Sequence, residues 1–302
     1  MKVRVGLVGC GRMGSHHARI VASSPRSTLV WVHDLHPERA AHLAAVHGAS
    51  TDPDLAVDVV VVATPARTHA AVARAHLAQG RACLVEKPLA GDPDDARTLL
   101  HPRVSVGHVE RFNPAIRAVA GATPLRVVSR RECVPSGRAV DVDAVLDLLV
   151  HDLDLLQGWA DALVVRAARP TWLDGRIEAV DAVIDGRSRA TGASVRATLT
   201  ASRIAPRGAR TVQIFEDGRY TRLDLAAGSA VCGGVHLDRP AGDALSAQWN
   251  AFLDRCAGAP SAIATAEDGL AAVLLADAVR QAATAARVPP ALPGYLHMEG
   301  PR

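Results

Sequence analysis

Aromatic residues are scarce: Phe, Trp and Tyr together make up nine of 302 positions, or 3% of the chain. Few rings are therefore available to stack on a nucleobase or a sugar. Cysteine is sparse as well. Cys10, Cys83, Cys133, Cys232 and Cys256 form an odd, dispersed set without a C-x-x-C pair. That pattern excludes a disulfide framework and a zinc cluster, so no metal is expected, and it fits a reducing, cytoplasmic compartment. Long apolar runs are missing too. Residues 270–276 are apolar but stop at Asp277, short of the ~18 residues a membrane span needs. The first residues, Met1-Lys2-Val3-Arg4-Val5-Gly6, enter a glycine loop without the apolar core of a secretory signal. No membrane partner is expected. Basic residues exceed acidic ones by only three, 34 against 31, and form no long run, which speaks against a nucleic-acid partner. Lysine is almost absent: of the 34 basic residues only Lys2 and Lys87 are lysine. Arginine stays charged at any working pH, whereas a lysine amine can titrate. A lone internal lysine in an arginine-rich chain marks a place to inspect.

What is present is a globular chain, 49% hydrophobic and 22% charged, long enough for about two domains. Up to about residue 110, short apolar runs alternate with helical stretches, the pattern of βαβ units around a parallel sheet. Strands are expected at 3–8, 28–33, 57–63, 82–86 and 104–107, and helices at 13–23, 37–46, 68–79 and 93–100, with Pro37 and Pro93 at first-turn positions. Beyond the junction near 114–123 the texture changes. A helical stretch at 142–159 precedes strand-like runs at 164–169, 179–184, 194–202, 210–215 and 219–225, separated by turn residues. Helical segments follow at 241–255 and 265–287, and an extended tail starts at Val288. The expected fold is α/β: a doubly wound parallel sheet of the Rossmann type over 1–118, then an α+β domain with a mainly antiparallel sheet over 119–302.

Gly9-Cys10-Gly11-Arg12-Met13-Gly14 directly follows the first strand and opens a helix. In that context G-x-G-x-x-G binds a dinucleotide. The first glycine allows the tight turn, the second lets the backbone approach a pyrophosphate, and the third lets helix and strand pack closely. Asp34 ends the second strand, 20 residues beyond Gly14. There a carboxylate accepts from the ribose hydroxyls and repels a 2′-phosphate, so NAD is expected over NADP, with His36 and Arg39 near enough to soften that preference. Two further strand ends are polar: Ala63-Thr64-Pro65 with Thr68 and His69, and Glu86-Lys87-Pro88. Each reads either as crevice lining or as an ordinary helix start or solvated loop. On the helix at 142–159, Asp147, His151 and Asp154 fall at i, i+4 and i+7, a narrow stripe bordered by leucines, with Asp152 as the other charge outside it. A histidine between two carboxylates is expected to hold its proton more tightly than a free one.

These motifs, in this order and spacing, resemble the Gfo/Idh/MocA oxidoreductases. The resemblance implies NAD(P)-dependent hydride transfer at a CH–OH carbon of a sugar or cyclitol. It implies Lys87 as the lysine at the reacting hydroxyl, with Asp147 as a substrate-binding acid and His151 as the acid/base. It further implies that Gly9, Gly11, Arg12, Met13, Gly14, Asp34, Thr64, Pro65, His69, Glu86 and Lys87 bind cofactor. The stretch Gly107-His108-Val109-Glu110-Arg111-Phe112-Asn113-Pro114 is similar to a subgroup that includes UDP-N-acetylglucosamine 3-dehydrogenases. From that follows a sugar pocket lined by His108, Glu110, Arg111 and Asn113, and a downstream aminotransferase as a functional partner. Arg126, Arg130, Arg131 and Arg203 fit either a substrate diphosphate or a strand surface. Relatives cover the open face of the second sheet with partner subunits, so a homo-oligomer, dimer or tetramer, is expected. A free sugar or another small carbonyl compound would suit the same residues. A non-catalytic NAD-binding sensor is disfavoured by the joint presence of Lys87, Asp147 and His151.

Overall fold

A computed structural model describes residues 1–135, 141–238 and 242–287. The tail expected from Val288 lies outside them.

The first strands are β1 (Val3–Val8), β2 (Ser27–His33), β3 (Val59–Val62), β4 (Ala82–Glu86) and β5 (Val104–Gly107). They pair in parallel, in the order β5-β4-β3-β1-β2. β3 is four valines, all buried, as befits a strand covered on both faces. Helices α1 (Arg12–Ser23), α2 (Pro37–His47), α3 (His69–Ala78) and α4 (Pro93–Arg97) connect them. The helix expected at 93–100 is only five residues long, although Asp92 caps it by accepting from Asp95 N. Gly6 has no Cβ because Trp31 lies over it: a Cβ there would be 2.2 Å from the indole.

α5 (Pro114–Arg117), capped by Asn113, ends this run and leads into the second sheet. That sheet has β6 (Arg126–Glu132), β7 (Ala160–Leu173), β8 (Arg176–Ser188), β9 (Ser194–Ser202), β10 (Ala209–Glu216), β11 (Arg219–Asp224), β12 (Ser229–Cys232) and β13 (Val235–His236). Its order is β13-β12-β11-β10-β6-β9-β8-β7, antiparallel except where β6 meets β9. β7 and β8 run well past the expected 164–169 and 179–184. Asp174 and Gly175, both at positive φ, close them with a two-residue turn between Leu173 and Arg176. One sheet face packs on α6 (Val150–Trp159) and on the C-terminal half of α8 (Ala266–Arg287) in a continuous apolar core.

The chain then doubles back. α7 (Ala244–Cys256) puts Leu245, Trp249, Phe252 and Leu253 into the core under α1 and α2. β14 (Ala264–Thr265) adds an antiparallel edge to β5. α8 carries Ala266 and Val273 into the core on the α3–α4 side. Residues 244–265, assigned from sequence to the second domain, thus complete the first sheet's layers. α8 is long and apolar enough by composition to cross a membrane; here Ala272, Val273, Ala276, Val279 and Ala283 are buried in the protein core.

Candidate active site

All five parallel strands end at the same sheet edge, where open α/β sheets bind ligands. After β1, Gly9 turns at φ 96°, and a Cβ on it would lie 2.5 Å from Ala63 O. A Cβ on Gly14 would lie 1.8 Å from Gly9 O, so the tight loop itself requires both glycines. Gly11 differs: its Cβ would meet no protein atom within 4 Å. Packing leaves that position open, at the positive N-terminus of α1, and a pyrophosphate would fill the space. Arg12 is exposed on the first turn of α1 and Met13 is half-buried. Asp34 leans over the loop, Oδ2 accepting from Cys10 N at 2.6 Å and Oδ1 from His36 N at 2.8 Å. Each oxygen keeps lone pairs for a ribose hydroxyl. These residues fit a nicotinamide dinucleotide. Cys10 beside them is inert, its thiol pushed up to about 11 by burial and by Asp34.

After β3, Thr68 Oγ1 donates to the Pro65 carbonyl at 2.7 Å and lies 2.8 Å from Thr64 Oγ1. Ala66 N donates to Asp141 of the second domain. Pro65 is exposed and Thr64 half-buried on the crevice edge. His69 is 1% exposed and faces inward instead. Its Nδ1 lies 2.9 Å from Pro88 O and its Nε2 2.8 Å from Thr64 O, so the ring staples two crevice loops. Burial lowers its pKa, outweighing the carbonyls and nearby carboxylates; the neutral ring donates to one carbonyl at a time.

After β4, Glu86 is also interior. Its Oε1 accepts from His17 Nε2 of α1 at 2.6 Å, and its Oε2 from Lys87 N at 3.2 Å. Despite the opposing effect of burial, His17 and Lys87 hold its pKa down. Lys87 alone of this group reaches across the cleft, its Nζ donating to Asp147 O at 2.8 Å and Oδ1 at 3.2 Å. One ammonium hydrogen remains for a ligand.

Asp147 does not lie on a regular α-helix. Residues Val145–Leu149 form a π-helical turn before α6, organised by Asp143, whose Oδ1 accepts from Val145 N and Leu146 N. Arg280 of α8 holds the other Asp143 oxygen at 2.9 Å. The expected histidine between two carboxylates is not what forms. Asp147 turns to Lys87, with Arg203 3.8 Å away. Asp154 is clamped by Arg111, whose Nε and Nη2 donate to it at 2.7–3.1 Å. Burial, reinforced by Lys87 and Arg131, pushes the His151 pKa well below its ordinary value. The sequence-based expectation of a tightly held proton is therefore reversed: with the carboxylates tied to cations, desolvation decides. His151 Nδ1 is buried and has no hydrogen-bond partner among the described residues. The same holds for both ring nitrogens of His108, 3.8 Å from Asp154 and also pushed toward the neutral form by burial.

Glu110 and Asn113 are buried and fully engaged. Glu110 accepts from Arg131 Nη1 and Asn113 Nδ2; Asn113 also donates to Leu225 O and accepts from Ala115 N. They brace the domain junction, and each of their side-chain polar atoms already has a protein partner. Arg111 Nη1 reaches Asp268 at 3.0 Å, so its fork too is largely spoken for. The strand-surface arginines separate by the two-residue period of β6. Arg126 and Arg130 point outward, and Arg131 points inward to Asp152 at 2.8 Å. Arg203 is bidentate on Glu178. These four do not converge on a diphosphate site. Residues the sequence reading passed over, His17, Asp143 and Asp268, each partner a named residue. His17, one turn beyond Gly14 on the buried face of α1, carried a detectable signal; the other two required the fold.

The class defined by this crevice is a dinucleotide-dependent oxidoreductase. Residues 3–108 match the family described as GFO_IDH_MocA, an oxidoreductase family with an NAD-binding Rossmann fold. The chain is 34% identical over 242 residues to UDP-N-acetylglucosamine 3-dehydrogenase of Acidithiobacillus ferrooxidans, covering 74% of each chain. A solved structure of that enzyme superposes with a TM-score of 0.83 at 28% identity, over 94% of this chain and 99% of the other. Inositol 2-dehydrogenase of Rhizobium meliloti is 26% identical, with 92% and 96% of the two chains covered. GenD2 from gentamicin A biosynthesis, solved in complex with NAD, is 26% identical with a TM-score of 0.76, over 95% of both chains. The chain belongs to the Gfo/Idh/MocA family: it is an NAD(P)-dependent oxidoreductase acting on CH–OH groups.

Proposed function

We propose that this protein oxidises a hydroxyl of a nucleotide-linked sugar with NAD, in the manner of a UDP-N-acetylglucosamine 3-dehydrogenase. The observation that carries the chemistry is the Lys87–Asp147 pair, 3.2 Å apart beside the cofactor crevice, with His151 near enough to Lys87 to feel its charge. Bound NAD supplies the acceptor for the hydride that leaves the carbinol carbon. The chain supplies the rest. A half-buried, neutral His151 is ready to take the hydroxyl proton. Lys87 stabilises the negative charge that grows on the oxygen as that proton leaves. Asp147 orients the lysine and offers its remaining oxygen to a neighbouring hydroxyl. The substrate class is supported by the A. ferrooxidans relative and by the 107–114 stretch. Of that stretch, His108 alone keeps buried side-chain polar atoms without a hydrogen-bond partner among the described residues.

The test is reduced-nicotinamide absorbance from purified protein with NAD and UDP-N-acetylglucosamine, with a sugar aminotransferase and glutamate added to consume the ketone. Reduction that depends on the nucleotide sugar is expected. Reduction with myo-inositol but not with the nucleotide sugar would replace this reading with a cyclitol dehydrogenase. A homo-oligomer, using the exposed face of the eight-stranded sheet, accompanies this reading and is read by light scattering.

A further inference from the structure

The turn Glu86-Lys87-Pro88 is held on both sides by histidines that lie outside the cleft. On one side His69 lies against Pro88 O. On the other, His17 is 1% exposed and donates to Glu86 Oε1 at 2.6 Å, while the second oxygen of the same carboxylate accepts from Lys87 N. Glu86 has space in this orientation because β5 contributes Gly107: a Cβ there would lie 3.0 Å from Glu86 Oε1. A buried carboxylate that loses its donor either takes up a proton or seeks another partner. In both cases its grip on the lysine backbone slackens. His17 sits one turn into the helix whose N-terminus forms the pyrophosphate cradle, so this contact joins the cofactor helix to the lysine turn.

We propose that His17 is a positioning residue for Lys87, acting through Glu86, and that Glu86 and His69 hold the lysine turn rather than touch the cofactor. The proposal rests on Lys87 being the group that meets the substrate hydroxyl. A displaced reacting group of this kind costs large factors in rate even when nothing that contacts the substrate has been altered.

The chain offers an unusually clean readout, because Lys2 and Lys87 are its only lysines. Reductive methylation with ¹³C-formaldehyde labels these two amines and the N-terminus, and loss of one signal in Lys87→Arg assigns Lys87. Two variants separate positioning from packing. His17→Gln places an amide donor where Nε2 stood, whereas His17→Asn is polar but too short to reach Glu86. The Lys87 resonance is expected at its native shift in His17→Gln and displaced toward that of Lys2 in His17→Asn. Turnover should fall about tenfold or more in His17→Asn and recover in His17→Gln, with NAD affinity within about twofold of native in both. A native Lys87 resonance in both variants overturns the proposal, as does displacement in both. Loss of NAD affinity with an undisturbed lysine also overturns it, since His17 would then serve the cofactor helix. The resonance needs no substrate. A protein that oxidises no nucleotide sugar would refute the proposed function while leaving this measurement decisive.

Discussion

Two ion pairs anchor the helical segment at 145–159, one to the N-terminal sheet and one to β6 of the second sheet, and they do different work. Lys87 and Asp147 are 3.2 Å apart with side chains 19% and 20% exposed. Arg131 and Asp152 are 2.8 Å apart with side chains 4% and 3% exposed. The first pair borders the cleft, uses a flexible ammonium, and leaves one of its hydrogens unspent. The second is sealed, uses a cation that stays charged, and has Glu110 as a second anion on the same guanidinium. An arginine fork fits two buried carboxylates as a lysine cannot. Exposure and the choice between lysine and arginine therefore separate chemistry from architecture, although both pairs look alike in a list of charges.

Breaking the first pair should have the largest effect, and on turnover. Lys87→Met is expected to lower kcat by about 10²–10⁴-fold while NAD still binds and the unfolding midpoint stays near native. Unchanged turnover would remove Lys87 from the chemistry. Breaking the second pair should act on stability. Arg131→Met leaves Asp152 and Glu110 buried without their cation, a loss of about 3–5 kcal/mol in urea unfolding. Replacing the arginine and both acids with apolar residues of similar volume should recover most of that loss. Failure to recover would show that the network specifies the junction's packing and does not merely satisfy its own charges.

The comparison sharpens with pH. Burial lowers the pKa values of His69, His108 and His151 from the ordinary 6.5. In each case the native ring is neutral where the unfolded ring is already taking up a proton. Protons bind preferentially to the unfolded chain below pH about 6.5, so stability is present above that pH and is lost as pH falls toward the folded pKa values. Each group adds a slope of up to about 1.4 kcal/mol per pH unit within its window. The urea midpoint is expected to drop between pH 7.5 and 5.5, by less in His108→Phe. Activity lost to protonation of His151 should appear only well below pH 6.5. A limb in kcat/KM above pH 7 that vanishes in His151→Asn would contradict a neutral histidine base.

Local rules explain what could be read without coordinates. The parallel half was legible because each strand is a short apolar run and Gly9 and Gly14 answer backbone demands that the loop motif states. The second sheet was legible as strands separated by turns, since Asp174-Gly175 and its kind announce themselves. α7 and β14 were misassigned for a physical reason: nothing in a two-residue strand such as Ala264-Thr265 says which sheet edge it will join. The helix carrying His151 and Asp154 forms as expected, yet Asp147 falls in the π-helical turn before it and the electrostatics of His151 are reversed. The cations that neutralise the carboxylates of this segment come from far along the chain: Arg111 lies 43 residues before Asp154, and Lys87 lies 60 before Asp147. Glu86, His69, Glu110 and Asn113 read as cleft residues because charge and amide suggest solvent. Burial and fixed partners decided otherwise, and only the packed fold reveals those.

The smallest effect belongs to cofactor choice, at the cradle that neither ion pair touches. Asp34 holds two backbone N–H groups of the loop and the turn after it, Cys10 N and His36 N. Asp34→Asn keeps the side chain's shape and one oxygen, enough for one of these two N–H groups, while Gly9 and Gly14 still set the turn, so the glycine loop should persist. What disappears is the negative charge that attracts the ribose hydroxyls and opposes a 2′-phosphate. His36 and Arg39 nearby then act without opposition. NAD should weaken and NADP strengthen, changing the ratio of their Kd values by about tenfold, equivalent to ~1.4 kcal/mol. Titration of both cofactors by protein fluorescence reads that ratio. Because Asp34 is remote from Lys87 and Asp147, kcat at saturating NAD should stay near native. A large fall in kcat would show that the cradle and the cleft are coupled more tightly than their separate hydrogen bonds indicate, and His17 on α1 is the residue through which that coupling would run.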